Sequence, residues 1–80
     1  MGKGPEKRQT YLTRHAKRRM RWRNISPKDV EKTLTNPDRV EQLPSGRKNA
    51  FKLMGDKLIQ VSYIEGEKGT TVITVVDKNR

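Results

Sequence analysis

The chain has no cysteine, so neither a disulfide framework nor a thiolate metal site can hold it together. Its 80 residues include one histidine, too few for an ordinary transition-metal site, and no metal or other cofactor is expected. Aromatic residues are scarce, with one tryptophan, one phenylalanine and two tyrosines. No apolar run in the sequence approaches the roughly 18–20 residues that cross a bilayer. The opening MGKGPEKRQT carries bases with no apolar segment behind them, so a secretory signal is not expected and the cytoplasm is the expected compartment. Hydrophobic residues make up 30% of the chain, which suffices for one helix-on-sheet core and no second domain.

Acidic residues are the most telling scarcity. Nine Asp and Glu face nineteen Lys and Arg, a net charge of +10. The excess is concentrated at one end. Residues 1–23 hold nine bases (Lys3, Lys7, Arg8, Arg14, Lys17, Arg18, Arg19, Arg21 and Arg23) against Glu6 alone, whereas residues 24–80 hold ten bases and eight acids. Ordinary surfaces intersperse the two signs. A field this concentrated attracts a polyanion over a Debye length of about 8–10 Å, and RNA, DNA or anionic lipid would each answer to it. A solvated, solubilising face is the plainer alternative.

Residues 1–10, with Gly2, Gly4 and Pro5 among charges, read as a flexible basic arm ahead of a single domain over 11–80. Thr13 is placed to cap a helix from Arg14 to about Arg23. Its thin apolar stripe is Leu12, Ala16 and Met20, and Asn24 suits a left-handed stop. Ser26-Pro27-Lys28-Asp29 then starts a second helix, with a capping hydroxyl, proline at the first helical position and an acid three residues after the serine. That helix turns Ile25, Val30 and Leu34 inward, and Asn36-Pro37 ends it.

Beyond Pro37 the period drops to two, predicting strands over Arg39–Leu43, Asn49–Met54, Leu58–Ile64 and Thr70–Val76. Pro44-Ser45-Gly46, Gly55-Asp56 and the stretch from Glu65 to Gly69 form the turns between them. The expected fold is α+β, two N-terminal helices packed on one face of a four-stranded antiparallel sheet. Phe51, Ile59, Val61 and Tyr63 are expected to face the helices, leaving Lys52, Gln60 and Ser62 towards water. Leu58 and Ile64 fall on the polar side of that assignment.

The segment from His15 to Arg23 is the most informative. His15, Arg18, Arg19 and Trp22 stand at i, i+3, i+4 and i+7 and share one helix face, and Arg19 and Arg23 are a further pair four apart. Guanidinium groups grip phosphate oxygens with paired hydrogen bonds, and a neighbouring indole can stack on a base or on a guanidinium. Each position also has a structural reading. Trp22 can fill a core or hinge, Arg19 or Arg23 can pair with Asp29, Glu31 or Glu41, and His15 can be a packing residue.

The string His15-Ala16-x-x-Arg19-Met20-x-x-Arg23-x-Ile25-Ser26, followed by Asp29-Val30 and Asn36-Pro37-Asp38, resembles a family of small domains of unknown function. Gly46-Arg47, Val61, Tyr63 and the closing Val72-Ile73-Thr74-Val75 fit the same pattern, with Asn24 where that family often has glycine. The family is similar to the RelE/ParE-like toxin superfamily, which implies a RelE-like fold and a nucleic-acid context. Some members cut messenger RNA on the ribosome, others act on gyrase, and others have lost activity.

Two functions follow as expectations. One is a toxin-like, RNA-binding domain acting as a metal-independent endoribonuclease. Histidine is the side-chain type that exchanges protons near neutral pH, so His15 would be base or acid. Arg19 and Arg23 would then hold the phosphate with Arg47 or Lys52 assisting, and Arg14, Arg18, Arg21 and Trp22 would grip the rest of the strand. The other is a non-catalytic nucleic-acid module, or a toxin relative that binds an acidic antitoxin segment through the same bases. RNA is the favoured partner, with DNA, a ribosome or an acidic antitoxin also compatible. A membrane surface is the weakest partner, because the first helix has arginines on nearly every side and little apolar face.

Overall fold

Residues 9–78 are described by the structure, a computed structural model. In chain order the elements are β1 (Gln9–Leu12), α1 (Arg14–Arg23), α2 (Pro27–Thr35), β2 (Arg39–Gln42), β3 (Lys48–Met54), β4 (Lys57–Glu65) and β5 (Gly69–Asp77). Gln9 and Thr10 therefore belong to a strand, and the rest of the expected arm, residues 1–8, lies outside the described residues.

Local chemistry sets both helices. The Thr13 hydroxyl accepts from the Ala16 N–H at 3.0 Å and caps α1, which ends where Asn24 takes left-handed angles (φ 58°, ψ 45°). At α2, the Asp29 N–H donates to the Ser26 hydroxyl and the Ser26 N–H donates to the Asp29 carboxylate, each at 3.2 Å. This reciprocal box, with Pro27 at the first helical position, matches the sequence expectation.

The sheet is a correction. It has five strands in the order β1-β5-β4-β3-β2, with β1 parallel to β5 and the other pairs antiparallel, so it is mixed rather than four-stranded and antiparallel. The extra strand is four residues long and pairs with the far end of the chain, Gln9 beside Gly69 and Leu12 beside Val72. Neither a hairpin signal nor a usable alternation announces such a strand. Both helices do lie on one face, α1 across β5 and β1 and α2 across β4 and β3. Between helices and sheet, Ala16, Met20, Ile25 and Val30 meet Ala50, Ile59, Val61, Tyr63, Val72 and Val75. Each fully buried Val or Ile there contributes about 1.5–3 kcal/mol.

The face expected for β3 is also corrected. Gly55-Asp56 forms a two-residue loop with positive φ at its first position only, the glycine-first arrangement of a type II′ turn. It sets Met54 opposite Lys57, and so Lys52 opposite Ile59 and Phe51 opposite Gln60. Opposed residues share a face, so Lys52 lies on the helix side and Phe51 on the open side, where Arg39 covers its ring at 4.5 Å. Ser62, expected to face water, is buried on the open side and donates to the Asn49 side-chain oxygen at 2.6 Å.

A register shift at Ser62/Tyr63 lets Val72 and Val75, three residues apart, both face the core. Thr13 docks on this irregularity. Its N–H donates to the Val72 carbonyl at 3.2 Å and its hydroxyl donates to the Ile73 carbonyl at 3.0 Å. Replacing Thr13 by Val keeps the shape but removes the cap and the hydroxyl bond to Ile73. We expect Thr13→Val to lower stability by about 1–3 kcal/mol. Urea unfolding checks this, and an unchanged midpoint would contradict the docking role. Gly69 sits where a Cβ would run into the Gln9 carbonyl oxygen. The expected result for Gly69→Ala is lost hydrogen-exchange protection at Gln9–Leu12 with protection retained in β3 and β4. Unchanged β1 protection would contradict the close approach.

Candidate nucleic-acid interface

Helix α1 carries six bases, Arg14, Lys17, Arg18, Arg19, Arg21 and Arg23, and no acid. Ala16 and Met20 are its buried residues, so one narrow stripe holds it to the sheet. At about 100° per residue the rest of the helix divides into three regions. His15, Arg18 and Trp22 form the outermost face, all exposed; Arg14, Lys17 and Arg21 form one exposed flank; Arg19 and Arg23 lie half-buried along the other margin of the stripe. Trp22 is 74% exposed, which removes it from any core or hinge role.

None of the six forms a side-chain hydrogen bond or an ion pair among the described residues. The expected alternative pairing of Arg19 or Arg23 with Asp29, Glu31 or Glu41 is absent. Asp29 is held in the α2 cap, and Glu41 lies 4.0 Å from Arg39 on the sheet. The Arg23 Nε is buried without a hydrogen-bond partner among the described residues. Like charges four apart on the helix, Arg14 with Arg18, Lys17 with Arg21 and Arg19 with Arg23, repel by about a few tenths of a kcal/mol each.

The remaining predicted residues are not gathered here. Lys52 turns its ammonium to the Asn36 carbonyl at 2.9 Å and to the Asp38 carboxylate at 3.7 Å, closing the C-terminus of α2. Arg47 is exposed in the turn between β2 and β3, at the sheet edge opposite the one α1 covers. Tyr63 is buried in the core. Burial raises its phenol above the usual value, Glu65 adds to the rise and Lys48 offsets it. Lys48 is itself raised by its 2.8 Å hydrogen bond to Glu65 and by that carboxylate's charge, which fixes this pair to each other.

Two contacts that position α1 have no local sequence signal. Lys57 donates to the Asn24 carbonyl at 2.7 Å across 33 residues of chain, and Thr13 reaches Ile73 across 60. Among the described residues no group of His, Asp and Glu could hold a metal ion, and no helix is long and apolar enough to cross a membrane. The arrangement offers a convex cationic ridge with an uncovered indole on its crest. No curated protein and no solved structure matches the chain. A family model does match residues 12–77, nearly all of the described structure, and the chain belongs to that family, the domain of unknown function DUF4258.

Proposed function

We propose that this domain binds RNA through its phosphate backbone, with α1 as the contact surface. The observation that carries this reading is the set of six bases on one ten-residue helix that bears no acid, none of them ion-paired among the described residues. Phosphates would relieve the repulsion along α1 and supply acceptors to its guanidinium groups. The choice of RNA over DNA, and any kinship with RelE/ParE-like toxins, rests on the motif around His15, Arg19 and Arg23 alone. An acidic polypeptide would meet the same cations and would show itself by displacing RNA at equal charge.

Binding without cleavage is the reading the site favours. Metal-free cleavage moves the 2′-hydroxyl proton to a base and a second proton to the leaving 5′-oxygen, leaving a 2′,3′-cyclic phosphate and a 5′-hydroxyl. His15 can serve one of these transfers. The residues expected to assist it stand elsewhere, since Lys52 closes α2 and Arg47 lies at the opposite sheet edge.

Two measurements test the proposal. Affinity for a labelled RNA should fall with salt, log K dropping by about 0.7 per phosphate neutralised against log salt. Arg18→Gln combined with Arg21→Gln should flatten that slope by roughly 1.4 if each meets one phosphate. Affinity indifferent to salt would overturn phosphate binding. In metal chelator the RNA should stay intact with wild type and with His15→Ala alike. Cyclic-phosphate ends that vanish in the variant would replace binding with catalysis.

A further inference from the structure

Trp22 is the most exposed of the large hydrophobic side chains among the described residues. At 74% exposure it exceeds Leu53 at 57% and Tyr11, Val40 and Ile64 at 45–46%. It is also the only tryptophan in the chain. Side chains on a helix lean towards its N-terminus, so the indole lies over the turn that carries Arg18 and Arg19, four and three residues before it. Those guanidinium groups could have stacked on the indole and covered it. They do not, and the one cation–π contact among the described residues is Arg39 over Phe51. The indole therefore presents a free π-face ringed by cations that themselves have no anion.

That juxtaposition discriminates among occupants. An apolar protein surface closing over Trp22 would also desolvate Arg18 on the same face, and burying its unpaired charge is costly. A membrane would meet the same penalty. A nucleotide brings a flat π-surface for the indole and a phosphate for the neighbouring guanidinium within one unit. Bases inside a duplex are stacked on each other and closed to a protein side chain, whereas those of a single strand can be splayed onto an aromatic ring.

We infer that Trp22 is a stacking platform for a base of single-stranded RNA, with Arg18 and Arg19 holding the phosphates beside it, so that the domain selects single strands over duplexes. This rests on the RNA-binding reading above and adds to it the class of RNA. Stacking of one base is worth about a 5- to 150-fold gain in affinity. The platform is tolerant of sequence because every base offers a π-face.

The lone indole is its own reporter. The full chain would be titrated at one fixed salt concentration with a labelled RNA 12-mer and, separately, with a labelled RNA hairpin duplex of equal phosphate count. Label anisotropy would follow binding and tryptophan emission would follow stacking. The expected result is tighter binding of the single strand, with emission quenched in step with saturation. Trp22→Ala should lose about 5- to 150-fold in single-strand affinity and little for the duplex, with Trp22→Phe between the two. As Trp22 has no core contacts to lose, an unchanged circular dichroism spectrum should confirm that both variants fold. Binding with unquenched emission, or equal losses for both RNAs, would overturn the stacking platform and leave phosphate binding standing. Absence of an anisotropy change with either RNA at low salt would overturn both.

Discussion

Thr13 is the point at which the three parts of this fold are fastened. Its N–H closes β1 onto Val72, its hydroxyl hydrogen goes to the Ile73 carbonyl, and its hydroxyl oxygen receives the Ala16 N–H from the first turn of α1. A hydroxyl can donate once and accept at the same time, so one side chain serves strand and helix together. The carbonyls it reaches flank the place where β5 shifts register, and that shift lets Val72 and Val75 both enter the core. The start and rotation of α1 are therefore referred to the sheet by short polar bonds. Apolar packing alone would define them poorly, since Ala16 and Met20 are the only buried side chains on the helix.

So narrow a seam has a consequence for α1. A ten-residue helix with repelling bases would be marginal as an isolated segment. It is kept by its two ends: Thr13 caps the N-terminus, while Asn24 turns left-handed and presents its carbonyl to Lys57 at the other. With both ends anchored from the sheet, the middle can be given over to charge. The same division explains why Trp22 can stand in water, because the fold asks nothing of that position.

The sequence made the helices legible and the sheet only partly so. Thr13, Asn24, the Ser26–Asp29 box and Asn36-Pro37 are local signals whose chemistry is complete within a few residues, and both helices lie where those signals put them. β1 was hidden because its partner is 60 residues away and parallel, so nothing near Gln9–Leu12 reports the pairing. The face that Phe51 takes is hidden from the sequence for a related reason. Its alternation with Ala50 and Lys52 was clear, but which set faces the helices depends on the Met54–Lys57 turn. A phenylalanine opposite a glutamine and beneath an arginine looks, in sequence alone, like a core residue. At the site, helical spacing puts His15, Arg18, Arg19 and Trp22 on one face, of which Arg19 turns out half-buried at the margin of the apolar stripe, whereas the commitment of Lys52 to Asn36 and Asp38 is tertiary and leaves no trace near residue 52.

The distribution of acids gives the cationic ridge its physical sense. Asp29 completes the α2 cap, Asp38 accepts from the Leu53 N–H and faces Lys52, Glu41 faces Arg39, Glu65 holds Lys48, and Asp77 accepts from the Leu58 N–H. Asp29 shapes the start of α2, and each of the other carboxylates lies on the sheet or its connections, where it shapes backbone or neutralises a neighbouring base. Had charge been spread only for solubility, acids and bases would mingle on α1 as they do on α2, where Lys28 and Lys32 bracket Asp29 and Glu31. Two adjacent helices of similar length, packed on the same face, thus follow opposite electrostatic rules. A requirement of folding would apply to both, and the repulsion on α1 works against folding, so this asymmetry is what the proposed phosphate contact rests on.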